Sequence, residues 1–486
     1  MAETGEAKRQ GLLIAGERVE SADGRTFPTY NPATGAVIAE VALAGVEDVN
    51  RAVRASRAAF DEGPWPTWPA TRRGRTLLKV AQLIRERRDA LAELETRNCG
   101  KALADARDEV EGAASTFEYY AGAANKQFGE TIPVMAGGLD FTLREPVGVA
   151  VQIVPWNFPI VTAAWKLAPA LAVGCTVVLK PASYTPLTAL ALGDICLEAG
   201  IPAGVVNVLP GEGAVAGMAL AQHPAVDKIA FTGSTEVGRE ILRAASENIT
   251  RVSLELGGKS PCVVFADADL ELAADRAPYS VFANAGQDCC ARTRIFVQRA
   301  VLDEFTERFV NRTQRLRVGD PLSLQSEIGS LVSSAQKRRA LDYLRIGTEE
   351  GAEVLTGGEP PQEAGLSRGS FLLPAVLGGA RNTMRVAREE IFGPVAVIIA
   401  FDDEDDCLQQ VNDSPYGLSG SLWTRDSGRV LRIAQRMRTG VLSINSNRSV
   451  HVEAPFGGYK QSGLGRELGM HALNLYTEVK NVYIDV

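Results

Sequence analysis

The sequence predicts an α/β protein of two lobes, each built on a mainly parallel sheet, with a small β arm attached. Three observations carry this expectation. The chain has 486 residues, more than one hydrophobic core ordinarily organises, so two large units with a cleft between them are expected. From Gly148 onward, strand and helix signals alternate, and the strands are apolar throughout, as in a parallel sheet covered on both faces. The last segment, YTEVKNVYIDV, reads as a strand sent away from the core to pair elsewhere.

Short strand and turn signals such as NPATGAVIAEV open the chain. From Val46 to about Gly129 the pattern is helical, as in TLLKVAQLIRERRDALAEL, where apolar residues recur every three or four positions. After Gly148 come VGVAVQIV as strand, PIVTAAWKLAPALAVG as helix, TVVLK as strand and TPLTALALGDICLEAG as helix. GVVNVLP as strand, a short helix to Gln222 and KIAFTG as strand complete that half. The second half repeats the theme with SPCVVF, TRIFVQ, GPVAVIIAF and GVLSIN as strands, and FGGYKQSGLGRELG leads to the final strand.

Hydrophobic residues make up 45% and charged residues 23% of the chain, close to the globular average, so neither disorder nor a fibrous repeat is indicated. A formal charge of −8 disfavours a nucleic-acid partner, which would call for clustered Lys and Arg. Seven scattered cysteines, with no CxxC pair and no His at metal-ligand spacing, read as reduced thiols, and no metal is expected. The polar opening MAETGEAKRQG lacks the marks of a signal or transit peptide, so a cytoplasmic location is expected. The run from Val147 to Val178 carries one charge, Lys166, and is long enough to span a bilayer. Pro155, Asn157, Pro159 and Pro169 divide it, and it is read as strand, turn, helix and strand of a buried layer.

Four stretches carry candidate chemistry. In NAGQDCCARTR, a small-residue turn ahead of a strand can expose the sulfur of Cys289, although a lone Cys is more often a small buried hydrophobe. In LELGGKSP, Glu255 ends a strand before two glycines, where a carboxylate can reach a cleft or simply be a solvated strand end. In PWNFP, the Asn157 amide follows a buried strand and can donate to a developing oxyanion, or serve only as a turn residue. In FTGSTEVGRE, Gly233 and Gly238 lie between an apolar strand and a helix beginning near Thr235, which suits a pyrophosphate at a helix N-terminus; a tight strand-to-helix turn is the plainer reading.

Taken together, PWNFP, KPAS, FTGSTEVG, LELGGKSP, GQDC, EIFGPV, PFGGYKQSGLGRE and YTEVK, in that order from about Leu12 to Val486, resemble the aldehyde dehydrogenase superfamily. The resemblance implies a Rossmann-like coenzyme domain over 1–127 and 147–258 and an α/β catalytic domain over 259–465. Residues 128–146 and 466–486 would form an oligomerisation arm, giving a homodimer or homotetramer. It implies NAD(P)-dependent oxidation of an aldehyde to a free acid through a thioester on Cys289, with Cys290 at a variable neighbouring position. Asn157 and the Cys289 N–H would hold the oxyanion, and Glu255 would be the general base. Glu467 would relay protons, its alternative being a helix-start carboxylate near Arg466. For the coenzyme, Lys180 matches the lysine of the adenosine ribose, Gly233, Ser234 and Gly238 the pyrophosphate turn, and Trp156, Glu390 and Phe392 the nicotinamide end. Ser183 stands where NAD-preferring members carry Glu, so NADP is expected to be tolerated.

Trp165, Phe456 and Gly112 match substrate-tunnel positions and imply an apolar, roomy tunnel for a broad range of aliphatic and aromatic aldehydes. Aminoaldehydes or betaine aldehyde are the runner-up, and Trp165 disfavours succinate semialdehyde. Arg448, His451 and Glu453 at the entrance carry mixed signs and point to no single ligand. An esterase and a non-catalytic structural protein are the alternatives from other classes; the presence of both Cys289 and Glu255 disfavours the second.

Overall fold

In the computed structural model, residues 8–448 and 450–485 are described. The first large sheet has eight strands. Its centre is parallel, in the order Arg251–Glu255, Lys228–Thr232, Val149–Ile153, Thr176–Lys180 and Val206–Val208. The chain enters at Val149–Ile153, builds to one side, then crosses to the other, so the strand order reverses between Val149–Ile153 and Lys228–Thr232. Ligands of open α/β sheets bind outside the carboxyl ends at such a switch point. Val149–Ile153 and Thr176–Lys180 are buried at every residue, which is why their sequences show no alternation.

The helix Pro159–Val173 starts with Pro at its first position and stops at the left-handed Gly174, φ 104°, the usual asymmetry of helix ends. It is buried on nearly every side, with Lys166 as its one charge, and packs between this sheet and the helices Ala70–Glu86 and Leu103–Ala123. At 15 residues it is a core helix, and no described helix is long and apolar enough to cross a membrane. Each of its fully buried Leu and Ile side chains contributes about 1.5–3 kcal/mol relative to exposure.

The second large sheet has seven strands, in the order Glu353–Thr356, Ala375–Gly378, Val395–Phe401, Arg294–Gln298, Pro261–Val264, Ser421–Trp423 and Ser443–Ile444. All its pairings are parallel except the first. Around it lies a second large apolar core. The glycine-rich run near the end returns to the first sheet, because Gly463–Leu464 pairs antiparallel with Leu254 and Glu255. A separate three-stranded sheet joins Thr131–Ile132, Leu139–Pro146 and Thr477–Ile484, the last two paired over eight residues. Thr477–Ile484 is an edge strand of it, and Val479, Tyr483 and Ile484 are exposed.

Candidate active site

A cavity of about 1020 Å³ opens where the first sheet's carboxyl ends meet the second sheet's loops. Three neighbouring strands deliver residues to it: Val149–Ile153 leads to Trp156 and Asn157, Lys228–Thr232 to Gly233 and Ser234, and Arg251–Glu255 ends on Glu255. Cys289 and Cys290 come from the turn before strand Arg294–Gln298, and Glu390 and Phe392 from the turn before Val395–Phe401. Trp165, Phe456, Gly112 and Glu467 also line it. Cys289, Glu255 and Asn157, drawn from three separate segments of the sequence, thus face one space.

The cysteine turn is pinned from several sides. Asn284 and Ala285 adopt left-handed φ of 51° and 54°, which reverses the chain sharply. Asn157 Nδ2 donates to the Gln287 carbonyl at 2.9 Å, leaving its second N–H. Asn284 Nδ2 donates to the Asn157 carbonyl at 2.9 Å. The fully buried Lys101 also donates to that carbonyl, at 2.9 Å, and is paired with Glu109. Val332 N–H donates to Gln287 Oε1 at 2.9 Å. The Asn157 loop and the cysteine turn are therefore fixed relative to each other through buried hydrogen bonds. Cys289 is partly exposed to the cavity and Cys290 is buried. The Cys289 thiol is pushed well above the ordinary range by its contact with Cys290, then by burial and by the Asp288 and Glu390 carboxylates.

Glu255 is 4% exposed, and its Oε2 has no hydrogen-bond partner among the described residues. Burial, and then the Glu467 carboxylate, push its pKa well up, against the pull of Lys166 and Arg466. Gly457, at φ 154°, leaves it room: a Cβ there would fall 2.6 Å from Glu255 Oε1. Glu467 is paired with Lys166, which is fully buried and donates to Thr232 Oγ1 at 2.6 Å. The alternative reading of Glu467 as a helix-start carboxylate near Arg466 is corrected: its partner is Lys166, whereas Arg466 donates to the Gly458 and Gly465 carbonyls at 3.1 and 2.6 Å. Lys166 was visible in the sequence as the single charge of an apolar run, and that isolation was the signal of a buried partner.

At the other end of the cavity, Ser234 caps the helix Thr235–Ser246 by accepting the Val237 N–H at 3.3 Å. This leaves a helix N-terminus suited to an anion facing the cavity. Glu390 Oε1 accepts the Gly258 N–H at 3.0 Å, and burial raises its pKa to about 7. Phe392 has a left-handed φ of 62° and meets Trp156 edge-on, ring centroids 5.1 Å apart. Gln336 donates to the Phe392 carbonyl at 2.7 Å and Arg339 to that of Glu390 at 2.6 Å; sequence reasoning missed both of these anchors. Three predicted coenzyme residues lie off this cavity. Lys180 is buried below Gly217, with its amine bonded to the Pro181 carbonyl at 3.1 Å and lowered to about 8 by burial. Ser183 donates to the Gly211 carbonyl at 3.0 Å, and Gly238 packs against Leu256.

On the substrate side, Trp165 and Phe456 sit with ring centroids 5.3 Å apart and join Cys290, Leu418 and Leu468 in an apolar cluster beside Cys289. Gly112 faces Val161. Arg448, His451 and Glu453 stand at the exposed rim.

The arrangement supplies a sulfur nucleophile, an amide donor and a buried carboxylate around one space, with a second region formed by a helix N-terminus and an aromatic pair. The model of the aldehyde dehydrogenase family matches residues 19–482. The betaine aldehyde dehydrogenase of Bacillus subtilis is 42% identical over 475 residues, covering 98% of this chain and 97% of that protein. The human mitochondrial aldehyde dehydrogenase is 45% identical over 478 residues, covering 98% and 92%. The structure of an aldehyde dehydrogenase from Bacillus cereus in complex with NAD+ superposes with a TM-score of 0.96 at 43% identity, covering 99% of this chain and 97% of that one. The chain belongs to the aldehyde dehydrogenase family.

Proposed function

We propose that the protein oxidises aliphatic and aromatic aldehydes to carboxylic acids with NAD+, tolerates NADP+, and works through a thioester on Cys289. The observation that carries this reading is the convergence of Cys289, Asn157 and Glu255 on the apolar pocket of Trp165 and Phe456. Attack of the Cys289 sulfur on the aldehyde carbon creates an oxyanion, for which the free N–H of the Asn157 amide and the Cys289 backbone N–H are the donors. The thiol proton leaves as the sulfur adds, and the buried base Glu255 is the acceptor within the cavity. Its raised pKa makes it a stronger base than a solvated carboxylate. NAD(P)+, when bound, supplies the acceptor for the hydride that leaves the aldehyde carbon. Glu255 passes the thiol proton on by way of the Lys166–Glu467 pair behind it, and the carboxylate so regenerated then takes a second proton, from the water that cleaves the thioester.

The residues suit such a coenzyme. Gly257 leaves space that a Cβ would lose to the Glu390 carboxylate, the Ser234 turn offers backbone donors to a pyrophosphate, and the Lys180 amine has only one acceptor, leaving donors for a ribose. Glu390 and the Trp156–Phe392 pair would hold the nicotinamide end. Ser183 brings no carboxylate to repel a 2′-phosphate. A second reading, an aminoaldehyde or betaine aldehyde, is favoured by the exposed carboxylates Asp108 and Glu453 at the cavity rim. Assembly as a homodimer or homotetramer is supported by the edge strand Thr477–Ile484 and its exposed apolar residues. A cytoplasmic setting is supported by seven free cysteines. Steady-state rates with acetaldehyde, benzaldehyde, betaine aldehyde and succinate semialdehyde, each with NAD+ and NADP+, test the proposal. The uncharged pair should lead with both coenzymes; a hundredfold preference for betaine aldehyde would move the assignment to the second reading.

A further inference from the structure

Asp288, Cys289 and Cys290 hold two sulfurs and a carboxylate oxygen within 4.8 Å of one another on the cavity wall. The tight turn produces this grouping. Asp288 Oδ1 accepts the Cys290 N–H at 2.8 Å, which folds the acid back over the two thiols and leaves its other oxygen uncommitted to the backbone. Rules for metal ligands based on spaced cysteines pass over an adjacent pair. Here the strand that follows fixes the pair in the wall of the open cavity.

Two thiolates and a carboxylate suit a borderline-soft divalent cation with four ligands, the fourth being water from the cavity. A tetrahedral ion with sulfur bonds of about 2.3 Å holds its donors about 3.8 Å apart, so closing the site takes side-chain shifts of roughly 1 Å. Mg2+ and Ca2+ require six or more hard oxygen ligands and find no such shell in these three side chains. We propose that Asp288, Cys289 and Cys290 form a chelating site for a thiophilic divalent cation such as Zn2+ or Cd2+, and that its occupation reversibly inhibits the protein. Binding forms two metal–sulfur bonds and releases two thiol protons to solvent, with no change of oxidation state. Cys290 turns a single sulfur into a chelate. The inhibitory consequence rests on the reading of Cys289 as nucleophile; the binding does not.

The test titrates Cd2+ into the full chain and follows thiolate-to-cadmium charge-transfer absorbance alongside aldehyde oxidation. The other five cysteines are buried and offer no competing open site. The expected result is one Cd2+ per chain, inhibition over the same concentration range, reversal by a chelator, and no inhibition by equal Mg2+. Cys290→Ser should lose at least about tenfold in Cd2+ affinity, the smallest loss that follows removal even of an outer-shell partner. Asp288→Asn, which still accepts the Cys290 N–H, should weaken Cd2+ as well and serves if the first variant does not fold. Wild-type affinity in either variant, or equal inhibition by Mg2+, overturns the proposal. A strong cadmium band in a chain that oxidises no aldehyde would instead refute the catalytic reading and leave the metal site standing.

Discussion

Glu467→Gln isolates the electrostatics of the proposed base. Glu467 raises the pKa of Glu255 and Lys166 lowers it, and the two are locked in a buried pair. Replacing Glu467 by Gln removes the repulsion and leaves the attraction, so the Glu255 pKa moves downward. A charge acting at 4–6 Å in a buried site is worth about 1–3 pKa units. Taking the low end, the acid limb of deacylation should fall by about one pH unit, which corresponds to about 1.4 kcal/mol. At a fixed pH below the limb, the ionised fraction of Glu255 then rises roughly tenfold. The assay is the pH profile of steady-state hydrolysis of an activated ester, which reads thioester cleavage without a coenzyme. The position of the limb is the readout; its plateau reports separately on proton relay. Breaking a buried pair by removing one partner also costs about 3–5 kcal/mol of stability, so chemical denaturation should show a weakened first lobe. An acid limb that stays in place, or rises, would refute the placement of Glu467 against Glu255.

Other consequences are equally direct. Asn157→Ala removes one oxyanion donor, and turnover should fall by about 100- to 1000-fold; a loss under tenfold in a folded variant would remove Asn157 from that role. Lys101→Met takes away a donor to the Asn157 carbonyl and strands Glu109, so turnover should fall while hydrolysis of an activated ester falls in parallel, with Lys101→Arg restoring neither. Unchanged turnover in Lys101→Met would show that the Asn157 loop needs no such anchor. Ser183→Glu should lower kcat/KM for NADP+ at least about tenfold, about 1.4 kcal/mol, with little change for NAD+. An equal loss for both coenzymes would mean that residue 183 does not face the 2′ position.

The legible parts of the sequence were those written locally. VGVAVQIV and TVVLK are buried on both faces, so their unbroken apolarity marks them as central strands, and Gly174 and Ser234 mark helix ends by their own backbone demands. The residues flanking those strands followed, because a carboxyl end places whatever comes next in a cleft: Asn157, Gly233 and Glu255 were found this way. What escaped is long-range. Nothing local tells Lys166 that its partner lies 301 positions away, and Lys101 reaches Asn157 across 56. The strands Glu353–Thr356, Ala375–Gly378 and Ser421–Trp423, three or four residues each, are too short to show a period. The return of Gly463–Leu464 to the first sheet is likewise set by the partner strand, not by its own glycine-rich sequence.

The central claim is a covalent bond to one sulfur. In a Glu255→Gln variant, aldehyde and NAD+ should yield a protein whose mass is increased by one acyl group per chain, mapped to the peptide bearing Cys289. The adduct should persist when Cys290→Ser is added and disappear when Cys289→Ala is added. An adduct that follows Cys290 instead, or no adduct while acid is still produced, would contradict it.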